Sequence, residues 1–197
     1  VCITADIFPL YSSIGESVKH AAFQVAGFIT TTGYATADFN SWPIFSKTLL
    51  FLLMFLGGCA GSTAGGFKLS RVMMLLKNAK RELQRMLHPR SVAVVKFEGK
   101  RVDDSTINSV MSYLSIYLLF FCIIVFIIGF EKFDIETNIT AVASCFNNIG
   151  PAFGQAAANY SAYSSFGKVI LSIAMLIGRL EIYPIILTLS PSTWSKK

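Results

Sequence analysis

Three stretches of this sequence carry residues whose types and spacing could do chemistry, and none of them supplies an activated nucleophile. The first is Thr30-Thr31-Thr32-Gly33-Tyr34. A Thr-rich strand with one permissive glycine is suited to pointing peptide oxygens inward, and such oxygens can replace the hydration shell of a monovalent cation. Taken alone, the same five residues also read as an ordinary Thr-Gly turn. The second is Gly57-Gly58-Cys59-Ala60-Gly61-Ser62-Thr63-Ala64-Gly65-Gly66, which interrupts a strongly apolar run. Each glycine weakens a helix by about 1 kcal/mol relative to alanine, so a broken helix with a flexible loop is predicted there. The third is Arg179, a lone cation at the end of the apolar run Phe166 to Gly178.

Enzymatic readings of these stretches fail on spacing. Gly61 to Lys68 looks like a phosphate-binding loop, but Phe67 separates Gly66 from Lys68 and no Ser or Thr follows the lysine directly. A hydrolase built on Ser62 needs a base, and the two histidines, His20 and His88, fall on opposite sides of the expected membrane. The chain is therefore not read as an enzyme. Its four cysteines, Cys2, Cys59, Cys122 and Cys145, show no metal spacing and sit mostly in apolar runs, so they read as small buried hydrophobes.

The elements that must position these stretches belong to a membrane protein. The sequence is 53% hydrophobic and 14% charged, with mean hydropathy +0.58, outside the range of soluble domains. The net charge is +6 with pI ≈ 9.2, but the cations cluster between apolar segments, which argues against nucleic acid. Ser17 to Ile29 is too short to cross a bilayer, which takes about 20 apolar residues. It reads as a short helix that enters the membrane and turns back at Thr30. Backbone that is not helical survives at that depth only if buried in protein or lining a wet cavity. Asp38 to Pro43 is a polar turn with Trp42 at the membrane interface. Phe45 to Leu56 enters again and breaks at the glycines, and helix resumes at Phe67 and runs to Leu87, where Pro89 ends it. Its end carries Lys77, Lys80, Arg81, Arg85 and Arg90, either as the positive-inside signal or as a docking surface for an acidic partner or anionic lipid. Val92 to Phe97 and Lys100 to Val102 form a hairpin around Glu98-Gly99, and Asp103-Asp104-Ser105 can cap the next helix. Ser109 to Phe130 is uncharged and long enough to span. Glu131, Asp134 and Glu136 follow, placing the basic connection inside and the acidic one outside. Thr140 to Phe146 is a second short apolar run, leading to Asn147-Asn148-Ile149-Gly150-Pro151. After Arg179 and Glu181, Pro184 introduces a kink, and the chain continues past Trp194 to Lys196-Lys197 on the inside. Val1 to Ser13 is too short and broken to span, no cleavable signal peptide is visible, and the sequence reads as the back part of a longer protein. Asn138 and Asn159 match the glycosylation pattern.

An internal repeat ties the pieces together. Laying Gly33 on Gly150 puts Val25-Ala26 on Val142-Ala143 and Thr30-Thr31 on Asn147-Asn148. After a short insertion, Phe45-Ser46-Lys47 falls on Phe166-Gly167-Lys168, and Gly57-Gly58 on Gly178-Arg179. Each copy is a re-entrant helix, a glycine-bearing turn and a long helix. The spanning helix before the second copy has no visible counterpart before the first and is expected upstream. Two copies cannot surround an ion alone, so a closed ring needs more. From Lys47 to Gly57 is about 15 Å of helix, half the hydrocarbon core. Arg179 at that depth is costly unless it faces the bundle interior or water. The expected arrangement has the glycine loop constricting the pore below the turns, with Arg179 holding the loop through its carbonyls, or else pairing with Glu181 or another helix. Lys68 reads equally as a pore-side charge or as a packed, snorkelling lysine.

The runs T-T-T-G-Y-A-T-A-D-F-N-S-W-P, G-G-C-A-G-S-T-A-G-G-F-K, N-N-I-G-P-A-F-G and G-R-L-E-I-Y-P together resemble the potassium-translocating membrane subunits of the bacterial Trk systems and their Ktr and HKT-type relatives. The resemblance covers nearly the whole chain. It implies an all-α membrane protein of repeated helix–pore loop–helix units around a pseudo-fourfold cation pore. Residues 1–90 would be a third unit lacking its first helix, 91–108 a cytoplasmic connection and 109–197 a fourth unit. The backbone carbonyls of Thr31, Thr32 and Gly33 and of Asn148, Ile149 and Gly150 would face K+. Gly57, Gly58, Gly61, Ser62, Thr63, Gly65, Gly66 and Arg179 would form the gate. No cofactor is implied beyond the transported ion. The implied setting is a bacterial inner membrane, with the filter loops outside and residues 77–105 and the C-terminus cytoplasmic. The implied partners are a cytosolic RCK-type nucleotide-binding regulatory subunit and a second copy of the protein. An HKT- or Ktr-like carrier of Na+, or of K+ coupled to Na+, is the alternative, and a sodium-coupled transporter with inverted repeats is a more distant one. Against the T-V-G-Y-G filter of tetrameric channels, Ala35 replaces the second glycine and Pro151 the tyrosine of the second copy. A shorter, less regular filter with weaker discrimination of K+ against Rb+ and Na+ is expected.

Overall fold

Capping side chains, those of Ser13, Asp134 and Ser164, set where three of the helices begin. In the computed structural model, which describes residues 1–59, 61–62, 64–88, 94–97, 99–180, 184 and 187–188, helix α1 (Cys2–Ile7) precedes α2 (Ile14–Ile29). The Ser13 hydroxyl accepts from the Gly15 N–H at 3.2 Å, satisfying one of the orphan donors of α2. Helix α3 (Ile44–Met54) follows Pro43. Two short strands, β1 (Leu56–Gly57) and β2 (Phe67–Lys68), then pair in parallel, Leu56 opposite Phe67 and Gly57 opposite Lys68. Helix α4 (Leu69–Leu87) leads to an antiparallel hairpin of β3 (Lys96–Phe97) and β4 (Lys100–Arg101). Helix α5 (Asp104–Ile128) is long and apolar enough to cross a membrane. Helix α6 (Ile135–Phe146) is capped by Asp134, which accepts from the Thr137 hydroxyl at 2.7 Å. Helix α7 (Ser165–Arg179) is capped by Ser164.

The all-α architecture and the repeat are both present. Helix α2, a turn and α3 form one copy; α6, a turn and α7 form the other. The caps let polar first turns become helical, so α2 and α6 begin earlier than the apolar runs alone indicate; α5 also begins earlier, with Asp104 of its first turn paired to Arg81. The segment Val1 to Ser13, read as broken, contains α1, which packs on α2 and α3 as α5 packs on α6 and α7. It is thus a counterpart to α5 in the first copy that the sequence did not reveal. A carboxylate in the last turn of α1 and one just after α5 act alike. Asp6 accepts from the Ser46 N–H at 3.1 Å and the Ser46 hydroxyl at 2.5 Å. Glu131 accepts from the Ser164 N–H and hydroxyl. Each puts a negative charge on the positive end of an outgoing helix.

Several other expectations change. Trp42, read from the sequence as an interfacial residue, is packed inside the protein: it is 3% exposed, and its indole N–H donates to the Tyr11 hydroxyl at 3.1 Å. Asp103 makes no side-chain cap, and Asp104 instead pairs with Arg81 at 2.5 Å. Arg81 is 9% exposed, and a guanidinium that deep needs an anion, which withdraws it from any docking surface. Lys77 donates to the Lys96 carbonyl at 2.8 Å, tying α4 to the hairpin. Only Cys145 of the four cysteines is buried. Asn138 is buried and accepts from the Tyr163 hydroxyl, so it is not a glycosylation site. Ala60, Thr63, Pro89, Arg90, Ser91 to Ala93, Glu98, Glu181 and the expected end at Trp194 to Lys197 lie outside the described residues.

The core has two parts. Val110, Tyr113, Tyr117, Ile124 and Ile128 of α5 pack on Phe146, Leu171 and Ala174, with Phe67 closing one side. Ile3, Ile7, Phe28, Leu50 and Met54 of the first copy pack on Ala143, Ile149 and Phe153 of the second. Helix α6 is therefore enclosed by α3, α5 and α7, and the unbroken stretch from Thr140 to Phe146 is buried.

Candidate functional site

The two glycine-bearing turns have one backbone design. At the end of α2, Thr30 N–H donates to Ala26 O, Thr31 N–H to Phe28 O and Thr32 N–H to Gly27 O, at 2.9, 3.2 and 3.0 Å. At the end of α6, Asn147 N–H donates to Ala143 O, Asn148 N–H to Cys145 O and Ile149 N–H to Ser144 O, at 3.0, 3.1 and 2.9 Å. The side chains repeat as well: Thr30 Oγ1 donates to Ala26 O at 2.7 Å and Asn147 Nδ2 to Ala143 O at 2.9 Å. Thr31 and Asn148 take left-handed φ values of +54° and +57°, and Gly33 and Gly150 take +74° and +112°. A β-branched residue with positive φ is a genuine outlier, and strain of this kind persists only where the surroundings over-determine it. Here each helix ends in a Schellman-type reversal, followed at once by a second left-handed residue.

The turns lie against each other. A Cβ on Gly33 would collide with the Ile149 carbonyl oxygen and sit 3.0 Å from Pro151 Cδ. Among the described residues, the carbonyl oxygens of Thr31, Thr32, Gly33, Asn148 and Ile149 accept no hydrogen bond. The Gly150 oxygen accepts one, from the Tyr160 hydroxyl at 2.6 Å. The structure thus gathers all six residues named from the sequence into two abutting turns with mostly unclaimed peptide oxygens.

The glycine loop sits next to both turns. Its ends are clamped by β1 and β2, with Phe67 N–H donating to Phe55 O at 3.1 Å and Leu69 N–H to Gly58 O at 3.3 Å. Gly65 lies under the turns: a Cβ there would collide with the Asn147 carbonyl oxygen, and its N–H reaches Thr31 Oγ1 at 3.4 Å. Gly57 packs on the Gly65 and Gly66 backbone, and Gly66 is left-handed at φ +78°. Gly58 lies against Ser62. Gly61 is left-handed at φ +81° with open space around it. Thr63 lies outside the described residues.

Arg179 is not held against this loop. It ends α7 exposed, and among the described residues it makes no hydrogen bond or ion pair. Its neighbour Gly178 lies on α6, where a Cβ would collide with the Phe146 carbonyl oxygen. Among the described residues, the charge that reaches the loop is Lys68, whose ammonium donates to Ser62 O at 2.6 Å and Ala64 O at 2.7 Å.

Two groups behind the second turn were not legible in the sequence. Tyr117 of α5 donates to Asn147 Oδ1 at 2.6 Å, and Asn147 is fully buried. Tyr160 comes from the polar stretch after the turn, which carries no periodic signal. Asn148 Nδ2 also donates to the Met175 carbonyl of α7 at 3.1 Å, anchoring the turn to the outgoing helix.

Known proteins share this sequence and this arrangement. The chain is 39% identical over 181 residues to the Trk system potassium uptake protein TrkH of Halomonas elongata, covering 92% of this chain and 38% of that protein. It is 38% identical over 178 residues to the Trk system potassium uptake protein TrkG of Escherichia coli K12, covering 90% and 37%. The crystal structure of the potassium transporter TrkH from Vibrio parahaemolyticus superposes with a TM-score of 0.90 at 33% identity, covering 98% of this chain and 42% of that one. The chain therefore spans less than half the length of the relatives it matches. The model of the cation transport protein family TrkH matches residues 10–197. With sequence, repeat and fold in agreement, this chain is a membrane protein that belongs to the cation transport protein family TrkH.

Proposed function

We propose that this chain forms two units of a K+ uptake pore, residues 1–90 and 109–197, joined by a cytoplasmic connection at 91–108. The observation that carries the reading is the pair of abutting turns whose peptide oxygens are mostly unclaimed. Backbone carbonyls left free by the protein's own hydrogen bonding can serve a desolvated monovalent cation. Alternating left-handed and ordinary backbone lets successive carbonyls turn to one side. In this proposal the carbonyls of Thr31, Thr32, Gly33, Asn148, Ile149 and Gly150 take the place of water around K+. The glycine loop, wedged by Gly65 against both turns, is the gate below them.

Closure of the ring needs further units. Lys47, Leu50 and Met54 of α3 face the second copy, with Lys47 paired to Glu136 at 3.1 Å. The repeat matches these positions to Lys168, Leu171 and Met175 of α7, which line a cavity of about 380 Å³ beside the second turn. That cavity is a socket of the right kind for another pore unit. The inner-membrane setting, with turns outside and α4 inside, follows the positive-inside pattern of Lys77, Lys80 and Arg85. The relatives' naming as parts of a system supports further components; in this proposal they are a cytosolic nucleotide-binding regulatory subunit and a second copy of the protein.

The deciding experiment is K+ uptake by a strain lacking other K+ systems, expressing the full-length protein with and without its regulatory subunit, with Na+ and Rb+ replacement. Uptake restored with K+ preferred supports the reading; uptake of Na+ alone, or strict Na+ dependence, favours an HKT- or Ktr-like carrier. Replacing Gly61 to Gly65 with a rigid helix former should change basal flux, and unchanged flux removes the gate. Tyr160→Phe is expected to lower the K+/Na+ uptake ratio about threefold to tenfold, because one hydrogen bond that orients the Gly150 carbonyl is worth about 0.5–1.5 kcal/mol. An unaltered ratio would mean that this carbonyl does not set selectivity.

A further inference from the structure

We propose that Lys68 is the latch of the glycine loop, a positioning residue whose ammonium fixes the loop apex through the Ser62 and Ala64 carbonyls. The proposal rests on the gate reading above and extends it to a residue that the reading left unassigned.

The loop is tied down unevenly. Its base is held by the β1–β2 pairing, and its outgoing side by Gly65 against Asn147 and Thr31. Among the described residues, the apex has neither kind of support. Gly61 and Ser62 are exposed, nothing lies within contact of a Cβ on Gly61, and the local bonds, Ser62 N–H to Cys59 O at 3.0 Å and Ala64 N–H to Ser62 Oγ at 3.1 Å, only shape the turn itself. Glycine-rich backbone is costly to order, and small side chains give no packing to offset that cost. A long side chain reaching back from the closing strand does. The half-buried Lys68 stem carries the ammonium to two carbonyls of the apex at 2.6 and 2.7 Å. Charge-assisted bonds of this kind are about twice as strong as neutral ones. A snorkelling lysine would instead aim its head at water.

The same geometry has an electrostatic consequence. Two peptide oxygens around a cation are the chemistry by which a pore coordinates K+, so the ammonium is a tethered cation seated in the loop. It fixes the apex, the role that the sequence suggested for Arg179, and it adds a positive charge beside the path.

The test uses the full-length protein in liposomes with Cys2 and Cys122, which are also exposed, and every cysteine outside this chain replaced by serine, so that Cys59, exposed at the entrance to the apex, is the single reactive thiol. Its rate of modification by a methanethiosulfonate reagent reads loop opening, and Rb+ flux is recorded in parallel. Lys68→Met is expected to raise the Cys59 rate about tenfold, the factor that loss of a charge-assisted hydrogen bond produces, and to raise basal Rb+ flux. Lys68→Arg, which keeps charge and donors, is expected to stay near the parent rate. If Lys68→Met protein does not accumulate, Lys68→Gln is read by the same criterion. A Cys59 rate unchanged by loss of the ammonium overturns the latch. A raised Cys59 rate with unchanged Rb+ flux supports the latch and overturns the gate reading instead.

Discussion

Replacing Gly33 with alanine is expected to cut K+ uptake about a hundredfold, at normal levels of protein in the membrane. Two costs add at this position. The residue sits at φ +74°, where an L-side chain costs about 1–2 kcal/mol. The new methyl also meets the Ile149 carbonyl oxygen head on and Pro151 Cδ at 3.0 Å. Neither neighbour is the free end of a flexible side chain, so backbone must move, at an overpacking cost of about 1–3 kcal/mol. The atoms forced to move are peptide oxygens of the proposed filter, so the damage falls on ion coordination, where each 1.4 kcal/mol is about a factor of ten. Rb+ uptake in a K+-uptake-deficient strain, normalised to protein in the membrane, measures it; uptake within about threefold of the parent would contradict this geometry. Gly150→Ala is the informative companion. Gly150 is at φ +112° with open space around its Cβ position. There the substitution carries the backbone strain without a collision among the described residues, so a smaller loss than that of Gly33→Ala is expected.

Gly178→Ala is expected to destabilise the protein rather than retune it. A Cβ at Gly178 would overlap the Phe146 carbonyl oxygen, lie 2.8 Å from the Phe146 carbonyl carbon and 3.0 Å from Asn148 Nδ2. Helix α6 cannot retreat, because α3 and α5 already pack on its other sides. Helix α7 must therefore shift outward, which stretches the 3.1 Å bond from Asn148 Nδ2 to Met175 O. Overpacking of this kind costs about 1–3 kcal/mol. The expected readout is a fall of several degrees in the thermal midpoint in detergent, together with lower uptake, since the second turn hangs on that bond. An unshifted midpoint would mean that α6 and α7 are less closely packed than the structure has them. The two substitutions thus separate function from fold: one acts on the oxygens of the turns, the other on the helix pair that carries them.

What the sequence determined by itself was whatever depends on residue type and spacing along the chain. Apolar runs of two lengths marked the spanning helix α5 and the short helices α2 and α6, because burying apolar surface is a local, additive preference. Glycine positions marked both turns and the loop, because only glycine takes these backbone shapes cheaply. The repeat followed from laying Gly33 on Gly150. Tertiary structure alone decided which groups meet. The contact of Gly33 with the Ile149 carbonyl joins residues far apart in the chain, and no local pattern encodes it. Helix α1 was missed because its six residues are too few to show periodicity and are helical by packing on α2 and α3. Arg179 was matched in depth to the loop, but depth along a helix does not fix the direction a side chain takes, and the cation hydrogen-bonded to the loop among the described residues is Lys68. Tyr160 and Tyr117 reach the second turn from neighbouring segments, since a hydroxyl finds its acceptor through space rather than through sequence.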